Sequence, residues 1–211
     1  MTEDDTTAAL ERIREKLGRV QLLDKALTEF GARSHGYRLG LPLTQAELRS
    51  YEQRFGVVLP AHYRRFLVEV GHQGAGPYYG LFALDSEDPE NPMAFGGDLT
   101  KPFKWTERFN PEEWDRSCGE DGVEWDEDGK FVGMFLPGAL YLCHYGCALR
   151  FFLVVTGPCR GEVWHDWQAN GDGIYPAVDA QGRRVGFLEW YEHWLDQSLA
   201  RLEGVTEGHG Q

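Results

Sequence analysis

Apolar residues recur every three or four positions along the first third of the chain, which is the spacing of amphipathic helices. The pattern predicts a first helix over residues 6–30, a second that begins at Thr44 and a third that begins at Pro60. The TQAE that starts at Thr44 has the spacing of a capping box, and a proline suits the first position of a helix. Gly71 is predicted to end the third helix in a left-handed conformation. The stripe that this helix buries consists of Tyr63, Phe66, Leu67 and Val70.

After residue 130 the pattern changes to short apolar or alternating runs separated by Gly and Pro, as in strands joined by turns. These runs are KFVGMFL, ALYLCHYG, CALRFFLVV and GEVWHDW, and IYPAV predicts a last short strand. An earlier run, YYGLFAL at residues 78–84, also predicts a strand, and NPEEWDRS predicts a short helix from Asn110. The runs after residue 130 therefore predict a meander of adjacent antiparallel strands.

The chain then returns to a helical pattern, GFLEWYEHWLDQSLARLEG, which predicts a helix that stops at Gly204. Helices, then strands, then a helix is the order of an α+β fold, here an antiparallel β-sheet meander flanked by N-terminal helices and a C-terminal helix. We divide the chain into an N-terminal helical extension (1–39), an α+β domain (40–204) and a disordered tail (205–211).

Charge narrows the class of partner. Among the 211 residues, 21 Lys and Arg stand against 34 Asp and Glu, which gives a formal net charge of −13. Nucleic acids and anionic membranes need a positive surface, so this balance argues against a dedicated binder of either and favours a basic partner. Most of the excess lies between Asp85 and Lys130, where 15 residues are acidic and 5 are basic. Such a run is either a solvated loop or an electrostatic docking surface.

Nothing in the sequence predicts export or membrane insertion. No apolar run reaches the roughly 18 residues of a membrane span. The segment MTEDDTTAALERIREKLG lacks the positive start and apolar run of a secretory signal. The cysteines have no disulfide-framework spacing and are expected to be reduced thiols in a cytoplasmic protein. They are Cys118, Cys143, Cys147 and Cys159.

Candidate chemistry is sparse. None of the seven histidines forms HExxH or a zinc site with CxxC, no Ser sits in GxSxG, and no glycine-rich loop has a Walker or Rossmann pattern. In CHYGC we interpret Cys143 and Cys147 as small apolar core residues rather than metal ligands. In WHDW the side chains of His165 and Asp166 diverge along a strand and do not pair. We predict no catalytic residue, metal or cofactor, and keep as the least favoured hypothesis an enzyme that uses these groups with His144.

Three segments resemble the SUKH superfamily, over about residues 40–200. LTQAELRSYEQRFGVVLPAHYRRFLVEVG resembles its entry helices, GEVWHDW its Gly-x-Val-Trp strand, and FLEWYEHWLDQSL its closing aromatic helix. The long first helix and the bulky acidic segment depart from the simplest members. The residues that carry the resemblance are structural ones: Glu47, Gly56, Leu59, Pro60, Tyr63, Phe66, Leu67, Gly71, Gly161, Val163, Trp164, Trp190 and Trp194.

The superfamily includes Smi/Knr-type fungal cell-wall regulators and many bacterial immunity proteins, and it is not known as an enzyme family. The resemblance therefore implies a non-enzymatic protein-binding module, first of all a bacterial immunity protein that neutralises a cognate polymorphic toxin through an acidic surface. The toxin domain would carry a basic surface, as nucleases do. The alternative is a regulatory or scaffold protein that binds host partners. The candidate contact residues are Glu120, Asp121, Glu124, Asp126, Glu127 and Asp128.

Overall fold

A computed structural model of the chain describes residues 3–84, 98–110, 113, 123–125, 131–134 and 136–204, with the backbone alone for 123–125 and 131–134. The fold is α+β, as predicted. The helices are α1 (Glu3–Leu23), α2 (Ala32–His35), α3 (Gln45–Phe55), α4 (Ala61–Glu69) and α5 (Phe187–Leu202). The strands are β1 (Leu39–Gly40), β2 (His72–Gly74), β3 (Val123–Trp125), β4 (Phe131–Met134), β5 (Ala139–Gly146), β6 (Leu149–Val154), β7 (Val163–Trp167) and β8 (Gly173–Pro176). Among the helices just given, none has the length and apolar character needed to cross a membrane.

Helix α1 packs along α5 and buries Leu10, Ile13 and Val20. Ion pairs join the two helices at their rim, including Lys16 Nζ to Asp196 Oδ1 at 2.5 Å. The helix ends at Leu23 and not at residue 30, so the predicted boundary is wrong. The cause is Asp24, whose carboxylate accepts hydrogen bonds from the backbone amides of residues 28 and 29 and turns the chain out of the helix.

Helices α3 and α4 are joined by a rigid turn. The capping box at the start of α3 is confirmed, because Thr44 Oγ1 accepts from the Glu47 amide (3.2 Å) and Glu47 Oε2 accepts from the Thr44 amide (2.7 Å). Gly56 ends α3 with a left-handed φ of 64°. The buried carboxylate of Glu52 then accepts from the Leu59 amide at 2.8 Å, which holds the segment that leads into α4.

Strands β5, β6, β7 and β8 form an antiparallel sheet in chain order, which confirms the predicted meander from ALYLCHYG to IYPAV. The prediction is wrong for KFVGMFL, whose strand β4 pairs with β3 in a separate two-stranded sheet. The strand predicted over residues 78–84 is wrong. Within that fully described run only Leu81 forms β-bridges, to Gly74 and to Cys143. Tyr78 has a φ of 57°, which an extended strand does not tolerate.

The two faces of the sheet are covered by different parts of the chain. On one face Phe151, Leu153 and Val163 pack with residues of α4 and α5. On the other face Phe152 and Trp164 pack with aromatic side chains of the segment 98–110. Because β5, β6, β7 and β8 alternate in direction, the ends of β5 and β7 meet the starts of β6 and β8 at one edge. At that edge the side chains on the helix-covered face are aromatic and only partly buried.

Candidate functional site

Six aromatic side chains gather at this edge and form what we call the aromatic surface. Strand alternation places residues 163, 165 and 167 of β7 on the same face, so His165 and Trp167 follow the buried Val163. Strand β5 adds Tyr145, β8 adds Tyr175, and two loops add the last two rings. The aromatic surface consists of Phe30, Tyr79, Tyr145, His165, Trp167 and Tyr175.

The rings of the aromatic surface are in continuous contact. The Tyr145 ring centroid lies 5.5 Å from that of Trp167, and Trp167 lies 5.8 Å from Tyr175. Phe30 extends the row, at 6.2 Å from Tyr145 and 5.4 Å from Tyr79. Phe30 is 59% exposed and Tyr79 45% exposed, which is unusual for large aromatic side chains in one contiguous group.

A second layer of aromatic rings supports this surface from below. Tyr78 stacks on Phe151 at 5.4 Å with the ring planes 9° apart, and it also contacts Tyr145 at 4.3 Å and Phe30 at 6.2 Å. Phe151 in turn contacts Trp190 of α5 at 5.5 Å. The exposed rings are therefore anchored to the core and have little freedom to collapse against one another.

The aromatic surface is electrically neutral but holds polar atoms without partners. Burial lowers the pKa of His165 to about 4, so its imidazole is uncharged at neutral pH. Burial raises the pKa of Tyr175 to about 12, with a further increase from Asp172. Among the described residues, neither His165 Nδ1 nor Trp167 Nε1 has a hydrogen-bond partner, although both atoms are buried.

The opposite face of β7 carries a separate polar network. The Tyr141 hydroxyl donates to Asp166 Oδ2 at 2.5 Å, and Gln168 Nε2 donates to Asp166 Oδ1 at 2.8 Å. Asp166 is thus turned away from His165, as the strand geometry predicts, and the two do not form an acid–base pair. Burial, together with the Asp166 carboxylate, raises the pKa of the Tyr141 hydroxyl.

The three cysteines in the described part of the chain do not join these groups. Cys143 is fully buried, as predicted, and burial raises the pKa of its thiol. Cys159 is buried in the cluster on the other face of the sheet. The prediction that Cys147 is a core residue is wrong: it is exposed, with a φ of 51° in the turn between β5 and β6. Within the described residues, no group of three or more His, Cys, Asp or Glu side chains could hold a metal ion.

Two grooves flank the contact between α1 and α5, with volumes of 320 and 410 Å³. Ion pairs run along both grooves, for example Arg12 Nε to Glu192 Oε1 at 2.7 Å and Arg19 Nη2 to Glu203 Oε1 at 2.6 Å. These contacts join the two helices and do not form a catalytic arrangement.

The residues that carry the family resemblance have structural positions. Pro60 precedes α4 as its N-cap, one position earlier than predicted. Gly71 does not take the predicted left-handed cap: its φ is 159°, and a Cβ there would lie 2.6 Å from the Gly40 carbonyl oxygen of β1. Trp164 is fully buried and donates from Nε1 to Glu162 at 3.0 Å. The other residues of this set that are buried in the core are Leu59, Tyr63, Phe66, Leu67, Val163 and Trp190.

The acidic contact residues predicted from the sequence lie outside the described part of the chain, apart from the backbone of Glu124 in β3. The aromatic surface was missed by the sequence reasoning. The alternation in WHDW was the available signal, because it places His165 and Trp167 together.

The buried neutral state of His165 predicts acid sensitivity. The pKa of about 4 in the folded protein lies below the ordinary value of 6.5. The contribution of neutral His165 to the free energy of unfolding is therefore fully present above pH 6.5 and is lost as the pH falls towards 4. We expect His165 to account for a loss of about 2 kcal/mol in the free energy of unfolding between pH 7 and pH 4.5. Urea unfolding at the two pH values should show this loss in the wild type and a smaller loss in His165→Phe.

His193 is exposed on α5, and His193→Gln is the control, because it should keep the wild-type difference between the two pH values. If the free energy of unfolding falls equally between the two pH values in the wild type and in His165→Phe, His165 is protonated without cost in the folded state.

Comparison with known proteins gives one match. Residues 42–180 match the SMI1 / KNR4 family (SUKH-1). No curated protein and no solved structure matches the chain. The matched residues run from the segment before α3 to the turn after β8. They contain the four-stranded meander and five of the six rings of the aromatic surface, all except Phe30. The chain belongs to the SMI1 / KNR4 family (SUKH-1).

Proposed function

We propose that this protein is a cytoplasmic, non-enzymatic protein-binding module, an immunity protein that neutralises a cognate polymorphic toxin. Its family is the first support, because the wider SUKH superfamily includes bacterial immunity proteins. The observation that carries the proposal is the aromatic surface, for which the described fold has no internal use.

The composition of this surface suits a protein interface. Tyr and Trp bury large area while losing few rotatable bonds, and they dominate the binding energy at many interfaces. Tyr145 packs on Tyr78 and contacts Trp167, so that little ordering of these rings remains to be done on binding. A preorganised surface of this kind slows dissociation of a partner.

Charge supports the same proposal. The net charge of −13 would draw a toxin with a basic face towards the chain and speed the encounter. The acidic residues 120–128 remain a predicted part of the contact. In this proposal they act on the rate of association and its salt dependence, whereas the aromatic surface acts on the rate of dissociation.

The test uses the toxin encoded beside the gene. We expect co-expression of this chain to rescue cells from that toxin, and we expect Trp167→Ala to weaken the purified complex about tenfold or more by calorimetry. Tyr79→Ala, at an exposed position, is a second variant whose folding is not at risk. Val58→Ala is the matched control, because Val58 is 62% exposed and has no ring in the aromatic surface.

Reversing the charges of the six acidic residues separates their contribution to the association rate from the contribution of the aromatic surface to the dissociation rate. We expect this variant to reduce the association rate and to flatten its salt dependence, with a smaller effect on dissociation. Full rescue of the cells by Trp167→Ala and Tyr79→Ala, with unchanged affinity, would remove the aromatic surface from the proposal. Absence of any rescue by the wild type would remove the immunity function.

The alternative is a regulatory or scaffold role, in which the chain binds proteins of its own cell. The match to a family named after SMI1 and KNR4 favours it. The gene neighbourhood separates the two: an adjacent toxin gene supports immunity, whereas metabolic or envelope genes support regulation.

A further inference from the structure

We propose that the aromatic surface receives a positively charged side chain, arginine or lysine, from the protein partner. The inference rests on the proposed function and gives the chemistry of the contact. The faces of aromatic rings are electronegative and attract cations that lie within about 6 Å of the ring centre.

Elsewhere the chain covers aromatic rings with its own cations. Four described rings have a cation above them: Lys104 lies 4.9 Å from the Trp105 ring centroid, Arg54 5.2 Å from Phe55, Arg150 5.2 Å from Tyr141 and Arg184 5.9 Å from Trp164. None of the described cations lies over a ring of the aromatic surface. The aromatic surface therefore gathers rings that no described cation covers.

Two cations near the aromatic surface are held in ion pairs. Arg201 contacts Glu29, the neighbour of Phe30, at 2.5 Å. Arg108, which acts on Tyr175 electrostatically, pairs with Glu113 at 2.9 Å. In each pair the carboxylate offsets the positive charge of the arginine, which would otherwise repel an incoming cation.

Negative charge near the rings adds to the attraction. Asp172 is exposed in the turn before β8, and its charge acts on the Tyr175 hydroxyl. His165 is neutral at physiological pH because of its burial, so the aromatic surface holds no positive charge of its own. A cation seated against Trp167 and Tyr175 would therefore meet ring faces and a carboxylate, within the field of a chain of net charge −13.

The experiment needs no toxin. The probe is a short acetylated and amidated peptide with two arginines among glycines and serines, and its control has norleucine in place of each arginine. Binding is followed by NMR through the indole N–H resonance of Trp167, assigned with Trp167→Phe. We expect the arginine peptide to shift this resonance saturably and the norleucine peptide to bind at least about fivefold more weakly.

Variants locate the binding. Binding to the variants is measured by calorimetry, because Trp167→Leu removes the indole resonance. We expect Tyr79→Ala and Trp167→Leu to bind the arginine peptide about threefold or more weakly than the wild type, and Val58→Ala to bind it equally. The exposed position of Tyr79 keeps the test valid if Trp167→Leu unfolds the protein. A lysine peptide should bind as well, though more weakly than the arginine peptide.

Four results would overturn the inference. Equal binding of the norleucine peptide would make the surface an apolar groove, and unchanged binding in the aromatic variants would assign the peptide to the acidic segment. Dimerisation of the free chain that buries Trp167 would make the occupant a second copy. A toxin that is neutralised without competition from the arginine peptide would overturn this inference alone, whereas peptide binding without toxin rescue would overturn the proposed function alone.

Discussion

Phe66→Ala is expected to destabilise the protein by about 3–5 kcal/mol, a large part of the total stability of an ordinary domain. Phe66 is completely buried in α4, with its ring centroid 4.9 Å from those of Phe187 and Tyr191 in α5. Removing the ring leaves a cavity at the joint between these helices, which the surrounding side chains can fill only in part. The free energy of unfolding in urea measures the loss.

A matched substitution separates the loss of burial from the loss of a ring. Phe30→Ala makes the same chemical change at a side chain that is 59% exposed, and we expect it to cost less than about 1 kcal/mol. A loss below 1 kcal/mol for Phe66→Ala would show that α4 and α5 do not depend on this contact for their packing.

Local signals explain which parts of the fold were predictable. The capping box at Thr44 and the meander from β5 to β8 depend on neighbouring residues and on alternation, and both are present as predicted. The run at residues 78–84 has the composition of a strand, but the chain there makes a turn at Gly80 and pairs at Leu81 alone. Contacts with Gly74 and Cys143 determine its path, and no local pattern contains them.

The candidate site was less predictable because it combines distant segments. Alternation places His165 and Trp167 on one face, but the register of β7 with β8 is needed to set Tyr175 opposite His165. Phe30 reaches the site through the loop after α1, and the shape of this loop depends on the carboxylate of Asp24. The acidic residues that the sequence singled out stay a prediction, because their side chains lie outside the described residues.

Asp24 is 2% exposed, and its carboxylate organises the segment that carries Phe30. Its Oδ1 accepts from the Thr28 amide at 2.7 Å, and its Oδ2 accepts from the Glu29 amide at 3.1 Å and from the Tyr37 hydroxyl at 2.7 Å. Burial opposes its ionisation, but these hydrogen bonds are stronger together and lower the pKa of Asp24 to about 2. The sequence reasoning extended α1 through this segment because an acidic residue at a helix end gives no strong stop signal.

Asp24→Ala is expected to cost about 3 kcal/mol, because it leaves the buried Tyr37 hydroxyl and two backbone amides without their acceptor. The ordinary pKa of an Asp is 3.8, so the stabilisation is complete above about pH 4 and is lost as the pH falls through 2. The free energies of unfolding in urea at pH 7 and at pH 3 should therefore differ less in the variant than in the wild type.

Asp98→Ala is the matched control. Asp98 accepts hydrogen bonds from the amide and hydroxyl of Thr100 at an exposed turn, and its replacement should cost less than about 1 kcal/mol. If Asp24→Ala also weakens partner binding while Asp98→Ala does not, the loop it holds contributes Phe30 to the interface; full stability of Asp24→Ala would contradict the structural role assigned to this carboxylate.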